Sequence, residues 1–95
     1  MLHKITLIRG DGSGPELIEQ AKRAIDKAIE ICGKGLEWEI FDAGADVVAK
    51  EGTPLPDYVI DSVKRNKVAL KGPVTTPLGK GFRSVNVELR KKLDL

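Results

Sequence analysis

Aromatic rings are scarce in this chain: one tryptophan, one tyrosine and two phenylalanines among 95 residues. Cysteine and histidine are scarcer still, with one of each. A lone cysteine, Cys32, excludes an internal disulfide, and no Cys/His cluster has metal-ligand spacing. It also accords with a reducing setting, so a cytoplasmic protein is expected. A mature mitochondrial matrix protein, processed before residue 1, would read the same way. Long apolar runs are missing too. The first, Ile5 to Ile8, is far too short for a signal peptide or a membrane span.

What is present suits a folded chain. Hydrophobic residues make up 41% and charged residues 32%, and the apolar ones recur at regular spacing, which argues against disorder. The length suffices for one small domain, not two. The net charge of +2 conceals an asymmetry. Residues 1–63 hold 7 basic and 12 acidic side chains, whereas residues 64–95 hold 9 basic and only Glu88 and Asp94 as acids. The last third could therefore attract an anion, or simply present a solvated basic face. Phe82 is the only ring in that third, so it offers no stacking platform for single-stranded nucleic acid.

Periodicity gives the order of elements. Lys4 to Arg9 reads as a buried strand rich in β-branched residues, followed by the tight loop Gly10-Asp11-Gly12-Ser13-Gly14. Pro15 suits the first helical position. Leu17, Ile18, Ala21, Ala24, Ile25, Ala28, Ile29 and Cys32 then fall on one helical face, which Gly33 ends. Leu36 to Phe41 alternates apolar and acidic residues, as a half-buried strand does. Asp46 to Lys50 reads as a short helix closed by Gly52. Pro56 can start a helix through Arg65 that buries Val59, Ile60 and Val63, and Lys67 to Leu70 reads as a short strand. A Gly/Pro/Thr-rich loop over residues 72–82 precedes a last helix that begins at Ser84 and has Val85, Leu89 and Leu93 on its apolar side. This order predicts an α/β layer with parallel strand pairing and no internal boundary. Nothing punctuates the end at Asp94-Leu95, so a piece of a longer domain is expected.

The glycine loop occupies the place of a dinucleotide fingerprint, between a strand and a helix, but its third glycine comes one residue early and is followed by proline. The simpler reading is a tight turn whose glycines allow positive φ and close backbone approach. The basic stretch Lys71 to Arg90 offers more chemistry. Thr75 and Thr76 bring hydroxyls, Lys71, Lys80 and Arg83 bring charge, and Ser84 stands at an N-cap near free helix N–H groups. Asn86 and Arg90 are four residues apart and share a helix face. Serine, amide and guanidinium on one side of a helix start would suit a small polycarboxylate or a phosphate. The bland alternatives are a simple cap at Ser84, an exposed Asn86, and an Arg90 favoured by the helix C-terminus. On that reading Thr75 and Thr76 are loop residues constrained by Pro77.

Resemblance separates these alternatives. Ile8-Arg-Gly-Asp-Gly-Ser-Gly-Pro-Glu16 resembles the N-terminal signature of the isocitrate/isopropylmalate dehydrogenase family. Lys71-Gly-Pro-Val-Thr-Thr-Pro77, with Gly81-Phe-Arg-Ser-Val-Asn-Val-Glu-Leu-Arg90 and Leu93-Asp-Leu95, is similar to the isocitrate-dehydrogenase branch. The resemblance spans essentially the whole chain. Ser13 departs from the first motif, standing where an aliphatic residue is usual.

The resemblance implies the family's own α/β fold, not a Rossmann fold, with residues 1–95 as the N-terminal part of the large α/β domain. It implies substrate binding by Ser84, Asn86, Arg90, Thr76 and Lys71, and a place for Thr75 beside the nicotinamide. It further implies NAD or NADP, Mg²⁺ or Mn²⁺, and a homodimer. The family continues past the position of Leu95 into a Tyr-Ala-Asn-x-Arg-Pro segment. The catalytic tyrosine and lysine and the metal-binding aspartates are therefore expected outside this chain, and the chain alone is expected to be inactive. The expected reaction of the parent protein is oxidative decarboxylation of isocitrate to 2-oxoglutarate and CO₂. Homoisocitrate or isopropylmalate oxidation, a non-catalytic regulatory subunit, and an anion- or nucleic-acid-binding module stand as the alternatives.

Overall fold

The computed structural model describes residues 2–75 and 84–95. Three parallel strands form one sheet in the order β2-β1-β3. Strand β1 (Leu2–Ile8) leads through the loop at residues 9–13 into helix α1 (Gly14–Ile31), then strand β2 (Gly35–Phe41). A 3₁₀ turn (Ala45–Val47) runs into the short helix α2 (Val48–Glu51), followed by α3 (Asp57–Asn66), strand β3 (Ala69–Lys71) and α4 (Val85–Lys92). The expected strands and helices are all present, with ends displaced by a residue or two. Pro56 caps α3 in extended geometry instead of opening it. Thr76, with Lys80, Phe82, Arg83 and most of the expected loop, lies outside the described residues.

Register explains which side chains go where. Thr6 sits opposite Glu39 and Ala69, and Ile8 opposite Phe41 and Lys71. Alternation puts these residues on one face of the sheet and the Leu7, Ile40 and Leu70 row on the other. The first face carries the main core, in which Ile8, Ala43, Leu55, Val59, Ile60, Val85 and Leu89 pack together against Phe41 and Val63. This unites β1, α3 and α4. The Val85, Leu89 and Leu93 side foreseen for the last helix turns inward, with Leu93 partly buried. The same interface is stitched by a polar cluster: the buried hydroxyls of Thr6 and Ser62 lie 2.7 Å apart, and Asn66 donates to Thr6 at 2.9 Å and to Glu39 at 2.8 Å.

The opposite face receives α1, and here the sequence pattern is corrected. Ile18 is buried, and Ala21, Ile25 and Ile29 are half-buried, but Leu17, Ala24, Ala28 and Cys32 are exposed. At about 100° per residue, Leu17, Ala24 and Ala28 lie on one flank of the apolar stripe, together with Ile31. The helix is therefore rotated toward its Ile18–Ile25–Ile29 flank. That flank also brings Asp26 to Trp38, whose indole N–H donates to the carboxylate at 2.8 Å, while Lys22 pairs with Asp26 at 2.9 Å. Likewise Ile40, expected inside, is half exposed on the β2 edge.

Candidate functional site

The loops leaving the carboxyl ends of the three strands converge on one carboxylate. Asp11 is 5% exposed. Its Oδ2 accepts a hydrogen bond from the Ala45 backbone N–H at 2.7 Å, and its Oδ1 accepts from the Thr75 N–H at 2.8 Å. Its own N–H donates to the Pro73 carbonyl at 3.1 Å. The loops after β1, β2 and β3 are thus tied through a single side chain. Glycine makes the approach possible. Gly10 has φ +77°, and a Cβ there would fall on the Pro73 carbonyl oxygen. Gly44, at φ +109°, lies against the Asp11 carboxylate itself. Parallel α/β sheets commonly bind ligands in the crevice where the chain order reverses. Between β1 and β3 the two loops are joined by backbone bonds, from the Gly72 N–H to the Ile8 carbonyl at 2.8 Å and from the Asp11 N–H to the Pro73 carbonyl at 3.1 Å.

Nothing in motif spacing distinguished Asp11 from its neighbours. The only signal was its position between two glycines, which allow other backbone segments to close around it. Thr75 emerges from this knot exposed, its amide held and its side chain at the surface.

A second feature lies on the α3/α4 side. An open groove of about 950 Å³ runs between β3, the end of α3 and α4. Its floor is apolar, with Ile8, Val63, Leu89 and Leu93. Around it stand Lys64, Lys67, Lys71, Arg90 and Lys92, against one acidic side chain, Asp94. Lys71, Asn86 and Arg90, from the set picked out in the sequence, all border this groove. Five of the nine basic residues of the last third thus border this one groove, although Lys64, Lys67 and Lys92 carried no individual signal.

Local structure sets each group. Arg90 and Asn86 lie one turn apart on α4 and are both exposed. Among the described residues no carboxylate lies within ion-pair distance of Arg90 or Lys71. Lys92 is partly neutralised by Asp57 at 3.6 Å. Lys71 projects from the last residue of β3 and donates to the Gly72 carbonyl at 2.8 Å. Partial burial lowers its ammonium pKa below the ordinary lysine value.

Ser84 caps α4, its Oγ accepting from the Val87 N–H at a long 3.5 Å. It is the N-cap, with extended backbone (φ −53°, ψ 131°), and stands beside the first turn of α4, not among the residues that line the groove. Lys71, Asn86 and Arg90 thus lie at the groove, Ser84 at the helix start, and Thr75 at the Asp11 knot.

A smaller crevice, about 500 Å³, opens over the ends of β1 and β2. Its polar groups are largely matched to one another. Arg9 forms a two-pronged pair with Asp42 at 2.8 and 3.0 Å, which raises the arginine pKa further. The Tyr58 hydroxyl, its pKa raised by desolvation and then by its bond to Glu51, donates to that carboxylate at 3.1 Å. Among the described residues no three His, Cys, Asp or Glu side chains could hold a metal ion together, and no helix is long and apolar enough to cross a membrane.

Comparison with known proteins places this arrangement. A family profile described as isocitrate/isopropylmalate dehydrogenase matches residues 4–95. The isocitrate dehydrogenase [NADP] of Haloferax volcanii is 43% identical over 91 residues, and that of Staphylococcus aureus strain Mu50 is 44% identical over 94. Each comparison covers 96% of this chain and 22% of the relative, so the chain spans about a fifth of the length of these proteins. Among solved structures, an isocitrate dehydrogenase from Methylococcus capsulatus superposes with a TM-score of 0.78 at 50% identity, over 97% of this chain and 26% of the other. A β-decarboxylating dehydrogenase from Thermococcus kodakarensis gives 0.80 at 34% identity, over 97% and 27%.

Proposed function

Because the chain belongs to the isocitrate/isopropylmalate dehydrogenase family, we propose that it supplies the carboxylate-clamping part of a protein that oxidises and decarboxylates isocitrate to 2-oxoglutarate and CO₂. The observation that carries this reading is the bordering of one cationic groove by Lys71, Asn86 and Arg90. A substrate with three carboxylates needs several cations, and a guanidinium can grip one carboxylate through two parallel bonds. Residues 1–95 then form the N-terminal part of a large α/β domain, in an enzyme that works as a homodimer. The NADP named for the Haloferax and Staphylococcus relatives makes it the expected hydride acceptor, with NAD as the alternative. Mg²⁺ or Mn²⁺ is expected on residues outside this chain, as the family resemblance implies. The chain alone is expected to be inactive.

A bound nicotinamide would supply the hydride acceptor for the carbon bearing the substrate hydroxyl. This chain's residues supply position and field. Arg90 and the Asn86 amide, one turn apart, hold a carboxylate against α4. Lys71, half-buried, acts on a second carboxylate from the β3 side. The Ser84 hydroxyl still has its own hydrogen to donate, and it does so at the positive end of the α4 dipole. Thr76 would join this clamp. Thr75, fixed by its amide, would flank the nicotinamide. Clamping the carboxylates turns the reacting C–H toward the hydride acceptor, and such orientation removes a large entropic part of the barrier.

The test is a steady-state panel on the protein that carries this chain in full. Isocitrate, homoisocitrate and 3-isopropylmalate are each paired with NADP and NAD in the presence of Mn²⁺. The expected result is highest kcat/KM for isocitrate with NADP. Preference for 3-isopropylmalate, or no turnover with any pair, would overturn the reading.

A further inference from the structure

We propose that Asp11 is a positioning residue for the nucleotide side of the active site, acting through the Thr75 backbone. The inference rests on the proposed place of Thr75 beside the nicotinamide. It adds a residue that touches neither substrate nor cofactor and yet sets where Thr75 stands.

Burial and geometry carry it. A carboxylate 5% exposed in a loop is costly unless each oxygen is satisfied. Here each oxygen takes one backbone N–H, from Ala45 and from Thr75, in charge-assisted bonds of 2.7 and 2.8 Å. The two donors lie 34 and 64 residues away in sequence. If Asp11 served only its own turn, the Gly14 N–H bond to the Asp11 carbonyl, at 2.8 Å, would be enough. The carboxylate instead reaches across to the loops after β2 and β3. The Asp11 N–H and the Pro73 carbonyl bond at 3.1 Å fixes the loop two residues before Thr75, so this loop is gripped at two points. The first grip is backbone to backbone and survives any substitution at Asp11 that keeps the loop. The second depends on the carboxylate. A residue anchored by its amide keeps its side chain free for a ligand, which is the condition Thr75 meets as an exposed residue.

The account separates the effect of Asp11 on fold from its effect on the ligand. An asparagine in its place keeps the shape and one acceptor oxygen, but turns an NH₂ toward the other backbone donor. Gly44 packs against the Oδ2 that faces Ala45, which leaves least room for an NH₂ there, so the mismatch is expected at Thr75. In the full protein, Asp11→Asn should raise KM for NADP by about tenfold or more, as expected for losing a hydrogen bond to a charged group. KM for isocitrate should change by less than about threefold, because the Arg90 and Asn86 clamp is held by α4 and not by this knot.

Amide hydrogen exchange on the wild-type protein provides an independent measurement that needs no variant. The Thr75 amide should be protected although the residue is exposed, and Asp11→Asn should speed its exchange while that of Asp11 itself, bonded to Pro73, stays slow. Free exchange at Thr75 in the wild type would overturn the proposal. So would an Asp11→Asn enzyme with unchanged KM for NADP, or one whose two KM values rise together. Failure of the wild type to oxidise isocitrate would defeat the functional reading instead, and the exchange pattern alone would then decide the positioning claim.

Discussion

Thr6 on β1 and Ser62 on α3 meet through their hydroxyls, 2.7 Å apart and fully buried. This contact ties the central strand to the helix beside the groove. Ser62→Ala would leave Thr6 bonded only to Asn66. The expected cost is about 1–3 kcal/mol of stability, the range for a buried polar group losing its partner. The double variant Thr6→Val with Ser62→Ala should cost less than the sum of the single changes, because no orphaned hydroxyl remains. Urea denaturation of the four proteins in the cycle checks this; additive losses would show that the two hydroxyls act independently.

Glu39 links β2 to the end of α3. The Arg65 hydrogen bond, followed by the one from Asn66, holds its carboxyl pKa below the ordinary value of 4.5. The folded-state pKa is therefore depressed relative to the unfolded state. The stabilisation is present above the ordinary carboxylate range and lost as pH falls through the folded-state value. Asp26 behaves alike, its pKa lowered by Lys22 and then by Trp38. Glu39→Gln should flatten the loss of melting temperature below about pH 5 and leave the neutral-to-alkaline side unchanged in slope. An identical acid limb in the variant would remove Glu39 from the account.

The sequence showed much of this frame because short-range rules governed it. Ser84 as a cap, Gly33 and Gly52 as helix ends, and Val59, Ile60, Val85 and Leu89 as core follow from local geometry and periodicity. What escaped was set by distant partners. The rotation of α1 that leaves Leu17 exposed depends on the width and covering of the sheet, and no single stripe encodes that. Asp11 looked like a turn residue because its partners are Ala45 and Thr75. Ser84, Asn86 and Arg90 share one motif, but spacing alone did not show that Asn86 and Arg90 border a groove while Ser84 caps the helix start.

Ser84 offers a charge-based probe of the helix start. A carboxylate there would repel a substrate carboxylate, while the α4 dipole would accommodate it. Ser84→Asp in the full protein should abolish isocitrate binding with melting temperature unchanged or higher. Ser84→Ala should weaken binding less and cost on the order of 1 kcal/mol in stability through the lost cap. Calorimetric titration with isocitrate distinguishes them; equal affinities in the Asp and Ala variants would make Ser84 a cap and nothing more.

Arg90 gives the most direct measurement of whether this face of the chain clamps the substrate. The kcat/KM for isocitrate is compared among the wild type, Arg90→Met and Arg90→Lys of the full protein. Arg90→Met should lose about 2–5 kcal/mol of transition-state stabilisation, as when one partner of a desolvated charge pair is removed. Arg90→Lys should recover little of that loss, because an ammonium lacks the planar fork. Full kcat/KM in both variants, with the fold intact, would contradict the clamp and return Arg90 to a surface cation at the end of α4.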